Sequence, residues 1–338
     1  MAQTLFDKIW DEHVVSRNSG FPDILYIDAH FINKESSPVA FEALRKRNIP
    51  VFRVKQTIVV PEPEYTAHIP LSDLARFQVD LLNRNCIDFG IDMPQSTPGY
   101  NGGLVAYPGQ TVVCDANNIE NLGAFGVLAI SINESQVEQV LATQCLLRQK
   151  PKRMKIEVNG RLGKGLSVKD INHYLISEIS AQGARGYFVE FAGDTILNLD
   201  MGGRISVCNM SREIGAVGGI IAPDELTFDY LKELGFTTDG SLIEYPESWK
   251  NLFSDEASVF DEVLEFDAED ITPGNYGIGI SKLIPGQRPE TDLPVSYETA
   301  GILEGYNDTD YILSQGESVE EFELSLACKT FNGEIHYK

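Results

Sequence analysis

The sequence has no run of the roughly 18 apolar residues that a membrane span needs. Its opening, MAQTLFDKIWDEHVV, has no basic end followed by an apolar stretch. These absences lead to the expectation of a soluble, cytoplasmic protein. Cysteine pairs are also missing: Cys86, Cys114, Cys145, Cys208 and Cys328 are odd in number and scattered, with no CxxC. Neither a disulfide framework nor a sequence-local metal site is indicated. The histidines His13, His30, His68, His173 and His336 form no HxH, HxxxH or HExxH, so zinc held by two ligands on one helical turn is not expected. No GxSxG elbow supports acyl transfer. Positive charge is scarce, with 27 Lys and Arg against 50 Asp and Glu and a net charge of −23. That sign opposes the counterion release that drives binding to a phosphate backbone, and no nucleic-acid partner is expected. Residues 251–338 hold 19 of the acids against Lys282, Arg288, Lys329 and Lys338. This segment reads as a solvated acidic face or as a docking surface for a basic partner.

What is present suits an α/β protein. A chain of 338 residues, 43% hydrophobic, can bury a core and suggests more than one domain. Apolar residues at Leu5, Phe6, Ile9, Trp10 and Val14 follow helical spacing behind Thr4 as a cap. DILYIDAHF (residues 23–31) reads as one buried strand, and Ser37-Pro38 as the start of a helix. VFRVKQTIVV (51–60) reads as a second strand, residues 72–85 as a helix, QTVVC (110–114) as a strand, and 134–148 as a helix. Small apolar residues from Gly123 to Ile132 suit tight packing against a neighbouring backbone. After the basic, proline-bearing QKPKR (149–153) the pattern restarts as strand, helix and strand, SREIGAVGGIIA (211–222) looks helix-like, and residues 224–234 read as a helix with the capping signature Pro223-Asp224-Glu225. Alternating strands and helices predict largely parallel sheets. The expected units are residues 1–150, 151–270, and an acidic segment 271–338 ending in a β-hairpin around Asn332-Gly333.

Gly160-Arg161-Leu162-Gly163-Lys164-Gly165 lacks the spacing and following Ser/Thr of a phosphate loop and reads as a turn. The stretch from Gly186 to Asp224 is more informative, since it combines close-packing glycines with Arg204, Asn209 and Glu213. Asn209 and Glu213 are four apart. On a continuous helix they share a face, where a carboxylate handles a proton or a metal-bound hydroxyl and an amide orients it. The plainer reading is a capping Asn and a solvated Glu.

The segments TLFDKIWDEHVV, ILYIDAHFINKESSPVAFEALR, LGAFGVLAISINESQVEQVLATQ, MKIEVNGRLGKGLSVKDI, VEFAGDTILNLDMGGRISVCNMSREIGA and APDELTFDY together resemble the large subunit of 3-isopropylmalate dehydratase, of the aconitase superfamily. They run in that family's order over roughly residues 4–275. The resemblance implies two three-layer α/β/α domains equivalent to the first two of that subunit. It also implies removal and re-addition of water on small hydroxy-polycarboxylates with a [4Fe-4S] cluster. Asn209 and Glu213 fall on the family's active-site amide and carboxylate, and Arg204 matches too. The family's Cys-Gly-Asp-Ser-His-Thr motif, however, corresponds to Cys114-Asp115-Ala116-Asn117-Asn118-Ile119, which puts Ala116 and Asn118 where the acid and imidazole stand. An earlier Asp-His pair corresponds to Glu62-Pro63, and the later cluster-binding motif has no counterpart in the sequence.

The expectation is therefore a degenerate relative, without cofactor or metal, that binds a protein partner and retains a small-carboxylate cleft. The partner is a small-subunit-like or cluster-bearing chain, or a second copy. The catalytic positions are Glu213 and Asn209, and the substrate-binding positions are Arg204, Asp115, Asn117 and Asn118. The alternatives are a hydro-lyase or isomerase, either metal-free or completed by a partner, and a ligand-binding sensor.

Overall fold

The computed structural model describes residues 2–17, 20–60, 72–92, 106–115, 119–234 and 246–272. The expected terminal hairpin lies outside them. Two parallel four-stranded sheets form the frame of an α/β fold, with helices packed against them. The first has the order β4-β3-β5-β6, with β3 Ala29–Ile32, β4 Thr57–Val59, β5 Thr111–Cys114 and β6 Leu128–Ser131. The second has the order β10-β9-β8-β11, with β8 Lys152–Asn159, β9 Tyr187–Ala192, β10 Gly218–Ile220 and β11 Glu262–Asp267. A small antiparallel sheet joins β1 (Val14–Ser16), β2 (Asp23–Tyr26) and β7 (Cys145–Arg148) in the order β1-β2-β7. In β8, Met154, Ile156 and Val158 are buried, the alternation of a strand with one apolar face.

The helix Leu5–His13 begins as the sequence suggests: Thr4 Oγ1 accepts from the Asp7 N–H at 3.0 Å. Its apolar face reaches the second sheet, where Phe6 stacks on Phe188 with ring centroids 5.0 Å apart. Asp7 bonds Lys150 at 2.7 Å and Arg153 at 3.1 Å, and Arg153 also holds Asp261 at 2.9 Å.

Four sequence expectations need correction. DILYIDAHF is two strands in different sheets, because the chain crosses over at Ile27–Asp28. There the Asp28 carboxylate accepts from Thr111 N at 2.7 Å and pairs with His13 Nε2 at 2.8 Å, while Gln144 Nε2 donates to the Ile27 carbonyl at 2.7 Å. The 134–148 helix stops at Thr143, since Gln144 turns left-handed at φ 55° and sends Cys145–Arg148 into pairing with β2. The 51–60 strand is a 3-10 turn, Val54–Gln56, followed by the short β4. SREIGAVGGIIA is a turn that leads into β10.

The expected close approach at Gly123 to Ile132 is present. A methyl built on Gly123 stands 1.8 Å from the Gly219 carbonyl oxygen, and one on Gly218 stands 2.9 Å from that of Ala129. Ile221 N donates to Gly123 O at 3.0 Å. The segment around β10 is thus packed backbone against backbone on the first sheet, and a continuous hydrophobic core runs through both.

Candidate functional site

Parallel open sheets bind ligands beyond the carboxyl ends of their strands, at the point where strand order reverses. In β4-β3-β5-β6 that point lies between β3 and β5. Asn33 follows β3 there, and its Nδ2 donates to the Asp115 carbonyl, just past β5, at 2.8 Å. The Asn33 Oδ1 accepts from the N–H groups of Glu35 at 2.8 Å and Ser36 at 2.9 Å, which fixes the turn into the helix Ser37–Arg47. Ser36, rather than Ser37, is the residue that precedes this helix. Lys34 at the same strand end is 5% exposed. The Asp115 carboxyl is raised above its ordinary range by burial and by Glu134 and Glu35, against the opposing hydrogen bond from Ser36.

The other predicted site residues lie on or just after the helix Met201–Met210, capped by Asp200, whose Oδ1 accepts from Gly203 N at 2.7 Å. Arg204 on this helix is fully buried. Its Nη1 and Nη2 donate to the Asp224 carboxylate at 2.8 and 2.6 Å, Nη2 to the Leu197 carbonyl at 2.6 Å, and Nη1 to Thr227 Oγ1 at 3.3 Å. Asp224 in turn caps the helix Glu225–Glu233. The guanidinium therefore braces two helices, with buried Nε alone left unpartnered. Burial works against the Asp224 charge, but Arg204 and the Thr227 hydrogen bonds outweigh it and hold this carboxyl below the ordinary range.

Asn209 lies in the last turn of the same helix, and its Oδ1 is buried without a partner. So is the Oδ1 of Asn121, on the 3-10 segment Ile119–Phe125 that packs against this helix. A buried acceptor without a donor is costly, and two of them in elements that pack together mark a place for a donor from outside the protein side chains. Glu213 is exposed on the turn after the helix, with its N–H donating to Met210 O at 2.8 Å. The helix ends between Asn209 and Glu213, so a turn closed by Gly215 at φ 81°, not a shared helix face, relates them.

The structure thus places Arg204, Asn209 and Glu213 on one helix and its following turn, and Asp115 at the end of β5. Asn117 and Asn118 lie outside the described residues. Sequence reasoning missed Asn33 and Asn121, and took Asp224 for a cap alone. A lone arginine among the small and apolar residues of MGGRISVCNM was the available signal, because a buried guanidinium requires a carboxylate.

The described thiols do not fit an iron-sulfur cluster. Cys86, Cys114, Cys145 and Cys208 are all buried, on different elements. Burial pushes the Cys86 thiol up to about 11 and also raises that of Cys208. Among the described residues no three His, Cys, Asp or Glu converge on a common point. No chemical step is derived through a cluster.

Comparison with known proteins supplies the context. The profile of the aconitase family (aconitate hydratase) matches residues 7–293. The chain is similar to the 3-isopropylmalate dehydratase large subunit of Cytophaga hutchinsonii, with 44% identity over 83% of this chain and 64% of that one. It is also similar to those of Flavobacterium johnsoniae, 38% identical over 93% of this chain and 72% of the relative, and Bacteroides thetaiotaomicron, 40% over 89% and 70%. The chain therefore spans about two thirds of the length of these relatives.

Proposed function

Because the chain belongs to the aconitase family, we propose that it is a 3-isopropylmalate dehydratase large-subunit-like protein acting as a partner-binding relative, with one wall of a small-carboxylate cleft retained. Its units are residues 1–150 and 151–270, followed by the acidic 271–338, and it works in the cytoplasm. One observation carries the reading. Asn209 stands on a helix braced by the Arg204–Asp224 pair, with Glu213 on the turn that follows it, whereas the positions matching the family's acid and imidazole are Ala116 and Asn118. A methyl and an amide do not shuttle protons.

In the cleft, the Asn209 amide and the strand-end groups Asp115, Asn117 and Asn118 orient the ligand, and Lys34 supplies positive charge. Arg204 acts through the helix it braces. The relatives are named as large subunits, which supports a second chain as the partner. Purifying the tagged full chain from its host without oxygen tests the reading. A co-purifying polypeptide is expected, together with no hydration or dehydration of isopropylmalate by the chain alone. Turnover by the isolated chain after cluster reconstitution refutes it.

The orphaned Asn209 oxygen favours a second reading, a hydro-lyase or isomerase completed by the partner. On that reading the purified complex turns over a malate-like diacid, and Glu213→Gln abolishes the activity without dissociating the complex. Full activity in Glu213→Gln removes it.

A further inference from the structure

The acidic portion of the chain meets the fold at β11. Residues 251–272 carry eight acidic side chains and no lysine, arginine or histidine. Among the described residues β11 is the outermost strand of the second sheet, paired only with β8, in an unbroken parallel register from Glu262 opposite Met154 to Asp267 opposite Asn159. Proteins shield such edges with lysine, proline or a bulge. The strand EVLEFD has none of the three, and acids are its only charges.

One face of β11 is anchored and the other is open. Leu264 and Phe266 pack on the core, with Phe266 edge-on to Tyr174 at 5.8 Å between ring centroids. Arg153 sets the entry to the strand, because its N and Nε donate to the Asp261 carboxylate at 2.8 and 2.9 Å. Val263 alternates to the opposite face and is 46% exposed, and Val259 just before the strand is 73% exposed. Lys8 engages Asp255 and Arg153 engages Asp261, while Glu262 is hydrogen-bonded to Tyr187. Glu265, Glu269 and Asp270 are exposed and make no ion pair with the described residues.

We infer that β11 is the docking strand for a partner chain, whose extended segment of alternating basic and apolar residues adds to its outer edge, with cations toward Glu265 and apolar side chains over Val263. This gives the partner-binding reading its surface and rests on it. Charge selects the occupant. A second copy sets the same acids against each other, and residues 273–338 of this chain hold eleven acids against four lysines and arginines. Like charges across a strand pair destabilise it, whereas a basic segment meets the opposite sign.

Fluorescence anisotropy of a labelled octapeptide of alternating Lys and Val, titrated with the full chain, tests the site, with hydrogen exchange read at the β11 amides not bonded to β8. Saturable binding is expected, and the peptide protects those amides. Glu265→Lys and Val263→Lys each weaken binding by about tenfold or more, while Glu233→Lys, an equal charge reversal on an exposed helical position, changes it by less than about twofold. Val263 and Glu265 are exposed, so unchanged far-ultraviolet spectra are expected of these variants. A peptide of the same charge N-methylated at alternate residues, which cannot pair along a strand, binds at least about tenfold more weakly. The inference is overturned by absence of saturable binding, by equal binding of the N-methylated peptide, or by equal losses in Glu233→Lys and Glu265→Lys. Protection of the β11 amides already present in the free chain also overturns it, identifying residues 273–338 as the occupant where it is independent of protein concentration and a second copy where it rises with concentration. A co-purifying polypeptide retained equally by the wild type and Glu265→Lys overturns the inference and leaves the partner-binding reading standing, whereas its absence from the wild type counts against that reading itself.

Discussion

The Met201–Met210 helix and the strand end at Asp115, proposed above as the two walls of a cleft, are held in opposite ways. On the helix, the buried Arg204 is matched by a bidentate carboxylate, a carbonyl and a hydroxyl, and the carboxylate also caps the next helix. At the strand end, Asp115 is fixed through its backbone carbonyl by Asn33, while its own charge faces Glu35 and Glu134. One wall is over-determined by opposite charges. The other carries like charges relieved by the Ser36 hydrogen bond, and on the proposed reading it is the wall whose chemistry has changed.

Removing the brace gives the largest expected effect. Asp224→Ala leaves a fully buried guanidinium without its counter-charge and also removes a helix cap, a loss of about 3–5 kcal/mol in urea unfolding. Arg204→Met is expected to cost less, because the Asp224 side chain is 42% exposed and returns to water. The Asp224 carboxyl is held below its ordinary range in the fold, so its contribution is present above about pH 4 and lost as pH falls through the lowered value. The gap between wild type and Asp224→Ala therefore narrows in acid. Equal stability of the two variants at pH 7 breaks the comparison.

The seam between the sheets comes next. Gly123→Ala drives a methyl into the Gly219 carbonyl and is expected to cost about 1–3 kcal/mol. Gly202→Ala, on an exposed helical face with only Asp200 Oδ1 at 3.5 Å, is expected to gain about 0.5–1 kcal/mol. Opposite signs for two Gly→Ala changes in chemical denaturation separate close packing from glycine's entropy.

What the sequence made legible divides along the same physical line. Local signals came through: the Thr4 cap, the Asp224 cap and the small residues at Gly123 each act over a few residues. The breaks that depend on distant partners did not. Nothing local in DILYIDAHF shows that Asp28 meets His13 and Thr111, and Leu146-Leu147 continue the helical period of residues 134–143 although Gln144 turns the chain into a strand. In the site, Asn209 and Glu213 were readable from the family motif. The end of their helix was signalled only by Gly215, and the fate of Arg204 depended on a carboxylate 20 residues away.

Two histidines sharpen the contrast between matched and unmatched groups, because both are buried. His13 bonds the Ile9 carbonyl at 2.7 Å and Asp28 at 2.8 Å. Burial opposes its charge, but Asp28 and that carbonyl raise it above the ordinary value. Its contribution is complete below about pH 6.5 and is lost as pH rises through the raised value. His30, on β3, has no partner at either ring nitrogen, and burial lowers it to about 3. The unfolded chain takes up that proton first, so stability falls as the pH drops from about 6.5 toward 3. His30→Leu is expected to be neutral or stabilising at pH 7 and to flatten the acid limb of the stability curve, whereas His13→Leu destabilises. A steeper acid limb in His30→Leu contradicts the assignment.

The smallest effect tests the loose wall itself. Asp115 is raised in the fold, so the folded chain takes up its proton before the unfolded one does; the relative stabilisation is complete below about pH 4 and lost as pH rises through the raised value. At neutral pH the carboxylate is thus a slight liability. Asp115→Asn is expected to leave stability unchanged or raise it by no more than about 0.5 kcal/mol at pH 7, with the advantage gone in acid. A clear loss at pH 7 means that an opposite charge holds this carboxylate, and the strand end is then as tightly specified as the Arg204 wall. Such a result removes the reason for treating one wall as retained and the other as free to change.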